Sequence, residues 1–277
     1  MRVCVVGGDD RLRLLAELLY HKGYDVHTWG HGIEDQPEVI HEAQAVILPI
    51  PRAANEGMIL APFSNRPIRV KRVVELIPEK AWVMAGVLDE ELTHAASQKD
   101  WRLLLPGLDP SYEEKNAMPS AEGAIFAAME KADHTLCGSH CLIIGPGRIG
   151  KELARMLLGL GARVTIAARR EEALHEAAKM GCITIPMKEL PDAAKTTDVL
   201  FNTAPSPVAG DEVLAALPAH ALAIDLASAP YGIDLNAAKR CGIQAWREGG
   251  IPGRYAPRTA AAILLQYFEA HTRSDSK

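Results

Sequence analysis

The stretch His140-Cys141-Leu142-Ile143-Ile144-Gly145-Pro146-Gly147-Arg148-Ile149-Gly150 holds the key to the architecture. An apolar run breaks into a glycine turn, and a helix-period pattern follows from Ile149 to Leu160, so this G-x-G-x-x-G opens a helix directly behind a strand. In that context each glycine has a physical task. The first turns the chain tightly, the second lets backbone approach a pyrophosphate, and the third lets helix and strand pack closely. The amino end of the helix adds partial positive charge. We therefore expect Gly145, Gly147 and Gly150, with Arg148 and Ile149 between them, to hold a dinucleotide.

The next strand, Arg163 to Ala167, sets the cofactor preference. Sites for NAD carry an acid about 20 residues past the glycines, to bind the ribose 2′-hydroxyl. Here the strand runs into Ala168-Arg169-Arg170. Two forked guanidinium groups suit a 2′-phosphate in charge and donor geometry, so the sequence favours NADP and leaves NAD possible. The alternation continues with a helix from Glu171 to Met180, a strand from Val199 to Asn202, a helix from Asp211 to Leu217 and a strand from Ala221 to Leu226. Ligands of doubly wound sheets lie at the carboxyl ends of strands, which adds Asn202, Thr203, Ala204, Pro205, Asp225 and Ser228 as cofactor candidates. Each has an equal alternative as a cap or Asx-turn residue.

Toward the amino end, strands at Arg2 to Val6, Tyr24 to Trp29, Ala45 to Ile50, Ala81 to Ala85 and Arg102 to Leu105 predict a five-stranded doubly wound unit. The fold class is thus α/β, with two parallel-sheet domains. We expect a substrate-binding domain over 1–115, a linking helix over 116–135 with Ser120 as its N-cap, and a Rossmann domain over 136–256. A helix over 257–277 should pack back on the body.

The 277 residues carry a net charge of −5 from interspersed acids and bases, which leaves no electrostatic footprint for nucleic acid. Five scattered cysteines without a CxxC pair fit reduced thiols better than disulfides or a metal centre. No run of about 18 apolar residues offers a membrane span, and Met1 to Gly8 is too short in apolar length for a signal peptide. The expectation is a cytoplasmic protein with a small-molecule partner, a homo-oligomer being the default for such folds. None of the ten histidines falls in a motif with a carboxylate and an arginine, which argues against simple 2-hydroxy-acid chemistry.

Further motifs carry a resemblance over nearly the whole chain. They are Gly7-Gly8-Asp9 with Arg11, Leu48-Pro49, Pro119-Ser120-Ala121-Glu122-Gly123, the glycine fingerprint, Asn202-Thr203 with Pro205, Asp225-Leu226-Ala227-Ser228, and Ile251-Pro252-Gly253 with Ala256-Pro257-Arg258-Thr259. Together they resemble the A subunit of bacterial dipicolinate synthase. The resemblance implies an oxidoreductase of sporulation that oxidises dihydrodipicolinate, or its hydroxylated tetrahydro precursor, to dipicolinate. It also implies a nicotinamide hydride acceptor and a second, flavoprotein-like B subunit. Ala229-Pro230-Tyr231-Gly232, Arg247-Glu248-Gly249-Gly250 and Ala260-Ala261 depart from the family pattern and bear on substrate contacts.

A dicarboxylate needs cations or amides. The turn Gly7-Gly8-Asp9-Asp10-Arg11 reads as an anion seat with Arg11 as a bidentate clamp, the alternative being that Arg11 pairs with Asp9 or a surface acid. Glu122, at the linking helix, is the acid–base candidate, or else an acid that stabilises the helix dipole. Ser120 and Thr259 are candidates for the substrate carboxylates. Two other readings stay open: an NADP-dependent dehydrogenase of a different small carboxylate, and a non-catalytic NADP-binding protein.

Overall fold

The computed structural model describes residues 1–32, 35 and 37–272. They form two compact units, one of Met1–Asn116 with the segment from Pro252 onward, the other of Ala117–Ile251. The Rossmann unit thus begins and ends earlier in the chain than the expected 136–256.

In the first unit the elements are β1 (Arg2–Val6), α1 (Asp10–His21), β2 (Asp25–Trp29), β3 (Ala45–Ile47), a small hairpin of β4 (Ala54–Asn55) and β5 (Met58–Ile59), α2 (Val70–Leu76), β6 (Trp82–Met84), α3 (Glu90–Gln98) and β7 (Arg102–Leu104). The sheet has the order β2-β1-β3-β6-β7 with every pair parallel. Its strands read as continuous apolar runs because both faces are covered. The period of two sorts them: Cys4, Val6, Val46 and Val83 enter the core under α2 and α3, while Val3, Val5, Ala45, Ile47 and Met84 enter the opposite one. That second core is closed by Leu12, Leu15 and Leu19 of α1 with Leu264, Leu265 and Phe268 of the carboxyl-terminal helix. The tail, whose destination is not legible in the sequence, therefore belongs to the first unit. The expected helix over 257–277 is described to Thr272, and its last five positions lie outside the described residues.

The helix α4 (Pro110–Lys131) corrects the expected linker. It starts ten residues before Ser120, because Asp109 caps it through its side chain to the Tyr112 amide (2.9 Å) and through its carbonyl to the Glu113 amide (3.0 Å). Pro110 follows as a favourable first helical residue. Pro119 stands inside the helix, so it does not mark the boundary, and Ser120 is a buried mid-helix residue rather than an N-cap.

The second unit continues with β8 (His140–Ile144), α5 (Arg148–Gly159), β9 (Arg163–Ala168), α6 (Glu171–Lys179), β10 (Ile183–Pro186), α7 (Leu190–Ala194), β11 (Val199–Asn202), α8 (Asp211–Ala216), β12 (Leu222–Asp225), α9 (Leu235–Cys241) and β13 (Gln244–Arg247). Two helices complete the chain, α10 (Ile251–Tyr255) and α11 (Pro257–Thr272). The sheet order is β10-β9-β8-β11-β12-β13, all parallel. Its order reverses between β8 and β11, which is where a doubly wound sheet opens its ligand crevice. The sequence reading missed β10 and β13. Both are edge strands with half-exposed, partly polar residues, so neither shows the apolar run of a central strand.

Candidate cofactor site

At the end of β8 the chain turns through Gly145 at φ +93°, a conformation that a side chain would strain. A Cβ on Gly150 would stand 2.1 Å from the Gly145 carbonyl oxygen, so only glycine lets α5 start this close to the strand. Gly147 differs from both. It caps α5 in extended conformation, and nothing lies within 4 Å of where its Cβ would be. The space in front of the helix amino end is open. The residues therefore fit a dinucleotide diphosphate: a cradle without side chains beneath it, amides pointing outward and a helix dipole behind. Thr203 holds the cradle in shape, its hydroxyl donating to the Gly145 carbonyl at 2.6 Å.

A crevice of about 390 Å³ runs from this turn between the ends of β9 and β11. Arg169 and Arg170 line one wall, Ala204, Pro205 and Ser206 the other, and Met187 and Val208 supply apolar surface. Both arginines are exposed. Arg169 reaches across to the Ser206 hydroxyl at 3.4 Å, and Arg170 is the N-cap residue of α6. Among the described residues no acid lines the crevice. Met187 and Val208 escaped sequence reading because their positions follow from loops whose course only the folded sheet defines.

Asn202 and Asp225 take the turn-forming alternative that the sequence left open. Asn202 is 0 % exposed and Asp225 1 %. Asn202 closes an Asx turn on Ala204, accepting from its amide (3.2 Å) and donating to its carbonyl (3.0 Å), and it donates to Asp225 at 2.7 Å. Asp225 also accepts from the amides of Ala227, Gly232 and Ile233. With these bonds the pair shapes the two loops after β11 and β12. Gly232 is part of this latch, since a Cβ there would sit 2.2 Å from the Asn202 amide nitrogen. Ser228 lies exposed on the loop that the latch holds. Across that loop Arg247 stacks on the Tyr231 ring at 3.9 Å, which gives two of the departing sequence positions a joint structural role.

Comparison with known proteins agrees with this architecture. Residues 2–105 match the N-terminal domain of the dipicolinate synthase A subunit, and residues 115–230 match the NAD binding domain of D-isomer specific 2-hydroxyacid dehydrogenases. The chain is 30 % identical over 278 residues to the dipicolinate synthase A subunit of Bacillus subtilis (strain 168), covering 95 % of this chain and 93 % of the relative. This chain belongs to the dipicolinate synthase A-subunit family. Two solved structures from that family superpose on it with a TM-score of 0.88. The one from Bacillus halodurans is 29 % identical and covers 97 % of this chain and 96 % of its own. The one from Bacillus subtilis is 27 % identical and covers 100 % and 97 %. Like its relatives in the dehydrogenase group, this member of the dipicolinate synthase A-subunit family is an oxidoreductase dependent on a nicotinamide dinucleotide.

Within this family member Arg11 takes the alternative that the sequence left open, pairing with Asp9. Arg11 is 2 % exposed: its guanidinium donates to Asp9 at 2.9 Å and to the Ile50 carbonyl at 2.7 Å. The first-turn amides are likewise engaged, Gly7 with the Trp29 carbonyl and Gly8 with that of Leu60, both at 2.7 Å. Asp9 itself caps α1, so the protein's own carboxylate stands at this helix end. The open seat expected at Gly7 to Arg11 is thus filled. Gly253 packs on the pair, and its Cβ would meet Asp9 at 2.2 Å. Glu122 is exposed in the middle of α4, away from any first turn, so the dipole alternative does not apply to it. Thr259 is exposed at the third position of α11. Among the histidines, His31 is half-buried and bonds the Gly7 carbonyl at 2.8 Å; burial holds its pKa below the usual value. The Cys4 and Cys141 thiols in the central strands are pushed up to about 11 and about 12 by burial, which makes them packing residues and not nucleophiles.

Proposed function

We propose that the protein oxidises dihydrodipicolinate, or its hydroxylated tetrahydro precursor after loss of water, to dipicolinate with NADP as hydride acceptor. The observation that carries this reading is an N-terminal domain matched to that of the dipicolinate synthase A subunit, on the same chain as an open glycine cradle whose neighbouring strand ends in two exposed arginines. The cradle at Gly145 to Gly150 binds the diphosphate through backbone amides, and Arg169 with Arg170 binds the 2′-phosphate. Thr203 and the Asn202–Asp225 latch hold the crevice walls in place, with Ala204, Pro205 and Ser228 facing the cofactor. When bound, the nicotinamide supplies a two-electron acceptor. Ring oxidation then releases one proton, and the exposed Glu122 carboxylate, or a water it orients, takes it. Thr259 contacts a substrate carboxylate, while the internally paired Asp9 and Arg11 shape the first unit's ligand edge. The dipicolinate synthase name of the relatives supports a setting in the cytoplasm of sporulating cells, where a flavoprotein-like B subunit is the partner. Among the described residues no helix is long and apolar enough to cross a membrane.

The test is direct. Enzymatically generated precursor is supplied to the purified protein with NADP or NAD, and the ultraviolet absorbance of the pyridine dicarboxylate is followed with cofactor reduction. Product growth with NADP is expected. An Arg169→Ala, Arg170→Ala double variant should lose about tenfold or more in NADPH affinity and keep NADH affinity. Turnover preferring NAD, with the double variant unaffected, overturns the cofactor assignment; NADPH binding without product, both alone and with the B subunit added, overturns the substrate.

A further inference from the structure

We infer that Arg52 is the cation of the first unit that recognises a substrate carboxylate, with Arg11 as the residue that positions it; this rests on the dicarboxylate substrate proposed above. A cation that recognises a ligand anion must reach solvent and have no counterion of its own. Where the order of the first sheet reverses, between β1 and β3, the segments that directly follow these two strands carry three arginines, Arg11 and Arg13 of α1 and Arg52 after β3. Arg11 is buried and engaged by Asp9 and Ile50. Arg13 is paired with Asp10 at 2.8 Å and lies over the Phe63 ring at 5.4 Å. Arg52 is exposed, and among the described residues no hydrogen bond, ion pair or ring contact engages its side chain.

The backbone beneath Arg52 is held by hydrogen bonds from the loop after β6 and from α1. The Val87 amide donates to the Pro51 carbonyl at 2.7 Å, the Ala53 amide to the Val87 carbonyl at 3.1 Å, and the Gly86 amide to the Pro49 carbonyl at 3.1 Å. Together these make a parallel rung between Arg52 and Val87 that extends the sheet past the end of β3. Gly86 permits the approach, because a Cβ there would lie 2.0 Å from the Pro51 carbonyl oxygen. Arg11 supplies a fourth hydrogen bond to the same segment, to the Ile50 carbonyl two residues before Arg52. A free guanidinium on a rigid loop at the ligand edge of a parallel sheet loses little further freedom when it forms a bidentate pair with a carboxylate. Arg11 therefore contributes through the loop it anchors, while the ligand contact is made by a residue that no motif marks.

The probe is pyridine-2,6-dicarboxylate, titrated calorimetrically into the full-length protein. Arg52→Gln should weaken binding at least tenfold, and Arg52→Lys, which keeps the charge and loses the fork, should fall between. NADPH affinity should stay unchanged in both. Arg163→Gln removes the same charge from the amino end of β9 and should bind the dicarboxylate as the wild type does. Undiminished binding by Arg52→Gln, or equal weakening by Arg163→Gln, overturns the inference and leaves the proposed substrate standing. Failure of the wild-type protein to bind the dicarboxylate at all overturns both.

Discussion

The β1–α1 turn and the β8–α5 turn are built on one plan with opposite outcomes. Each follows the first strand of a parallel sheet, contains a glycine at positive φ and leads into a twelve-residue helix. Even the cap conformations coincide, with Asp9 at φ −85°, ψ −171° and Gly147 at φ −71°, ψ −172°. In the first turn the cap residue brings its own carboxylate, which is neutralised by Arg11, and the flanking amides bond to Trp29 and Leu60. In the second the cap residue has no side chain and faces open space. A helix amino end attracts an anion in either case. What separates a closed structural turn from a cofactor cradle is whether the protein or the ligand supplies it.

Exchanging the cap residues should erase that distinction most sharply. Gly147→Asp would set a carboxylate where the diphosphate belongs, in a conformation Asp already adopts at position 9. We expect NADPH affinity to fall about a hundredfold or more by charge repulsion, measured by fluorescence titration, with unfolding stability changed by only about a few tenths of a kcal/mol. Retained affinity would show that the cradle does not hold the diphosphate. Next in size, Arg11→Met should destabilise the first unit by about 2 kcal/mol in urea unfolding, below the usual cost of a broken fully buried pair because Asp9 is 32 % exposed and keeps some hydration. NADPH affinity should not follow; a parallel loss would mean that the first turn also serves the cofactor. The smallest effect concerns His31, which bonds Gly7 at the first turn. Burial depresses its folded pKa, so the unfolded chain binds the extra proton first as pH falls. The stability it contributes is complete above about pH 6.5 and declines below it. Thermal melts of His31→Gln at about pH 7.5 and about pH 5.5 should therefore differ less than those of the wild type, by under about 1 kcal/mol. An unchanged difference would remove His31 from the acid response.

The cofactor fingerprint was legible because its chemistry is local: strand, turn and helix amino end are contiguous, and glycine alone meets their steric demands. Arg169 and Arg170 were legible for the same reason, lying one strand further on. Asn202 and Asp225 were legible at the carboxyl ends of their strands and as turn residues, but not as partners, since a buried amide and carboxylate 23 residues apart pair only once β11 and β12 are neighbours. Ser120 failed as a cap because Pro119 looks like a boundary in one dimension, while Asp109 and Pro110 start the helix about ten residues earlier.

Two α/β units, the central strands of each sheet and the place of the dinucleotide are written in the linear chain, because apolar runs, helix periods and glycine turns act over a few residues. Three-dimensional folding alone spends Arg11 on Asp9 and Ile50, closes the first core by packing α11 against α1, and leaves Arg52 with a guanidinium that no described residue engages. Which charges are neutralised and which faces are covered depends on partners far apart in the chain, and a hydrogen bond or a packed face exists only when folding brings both of its sides together.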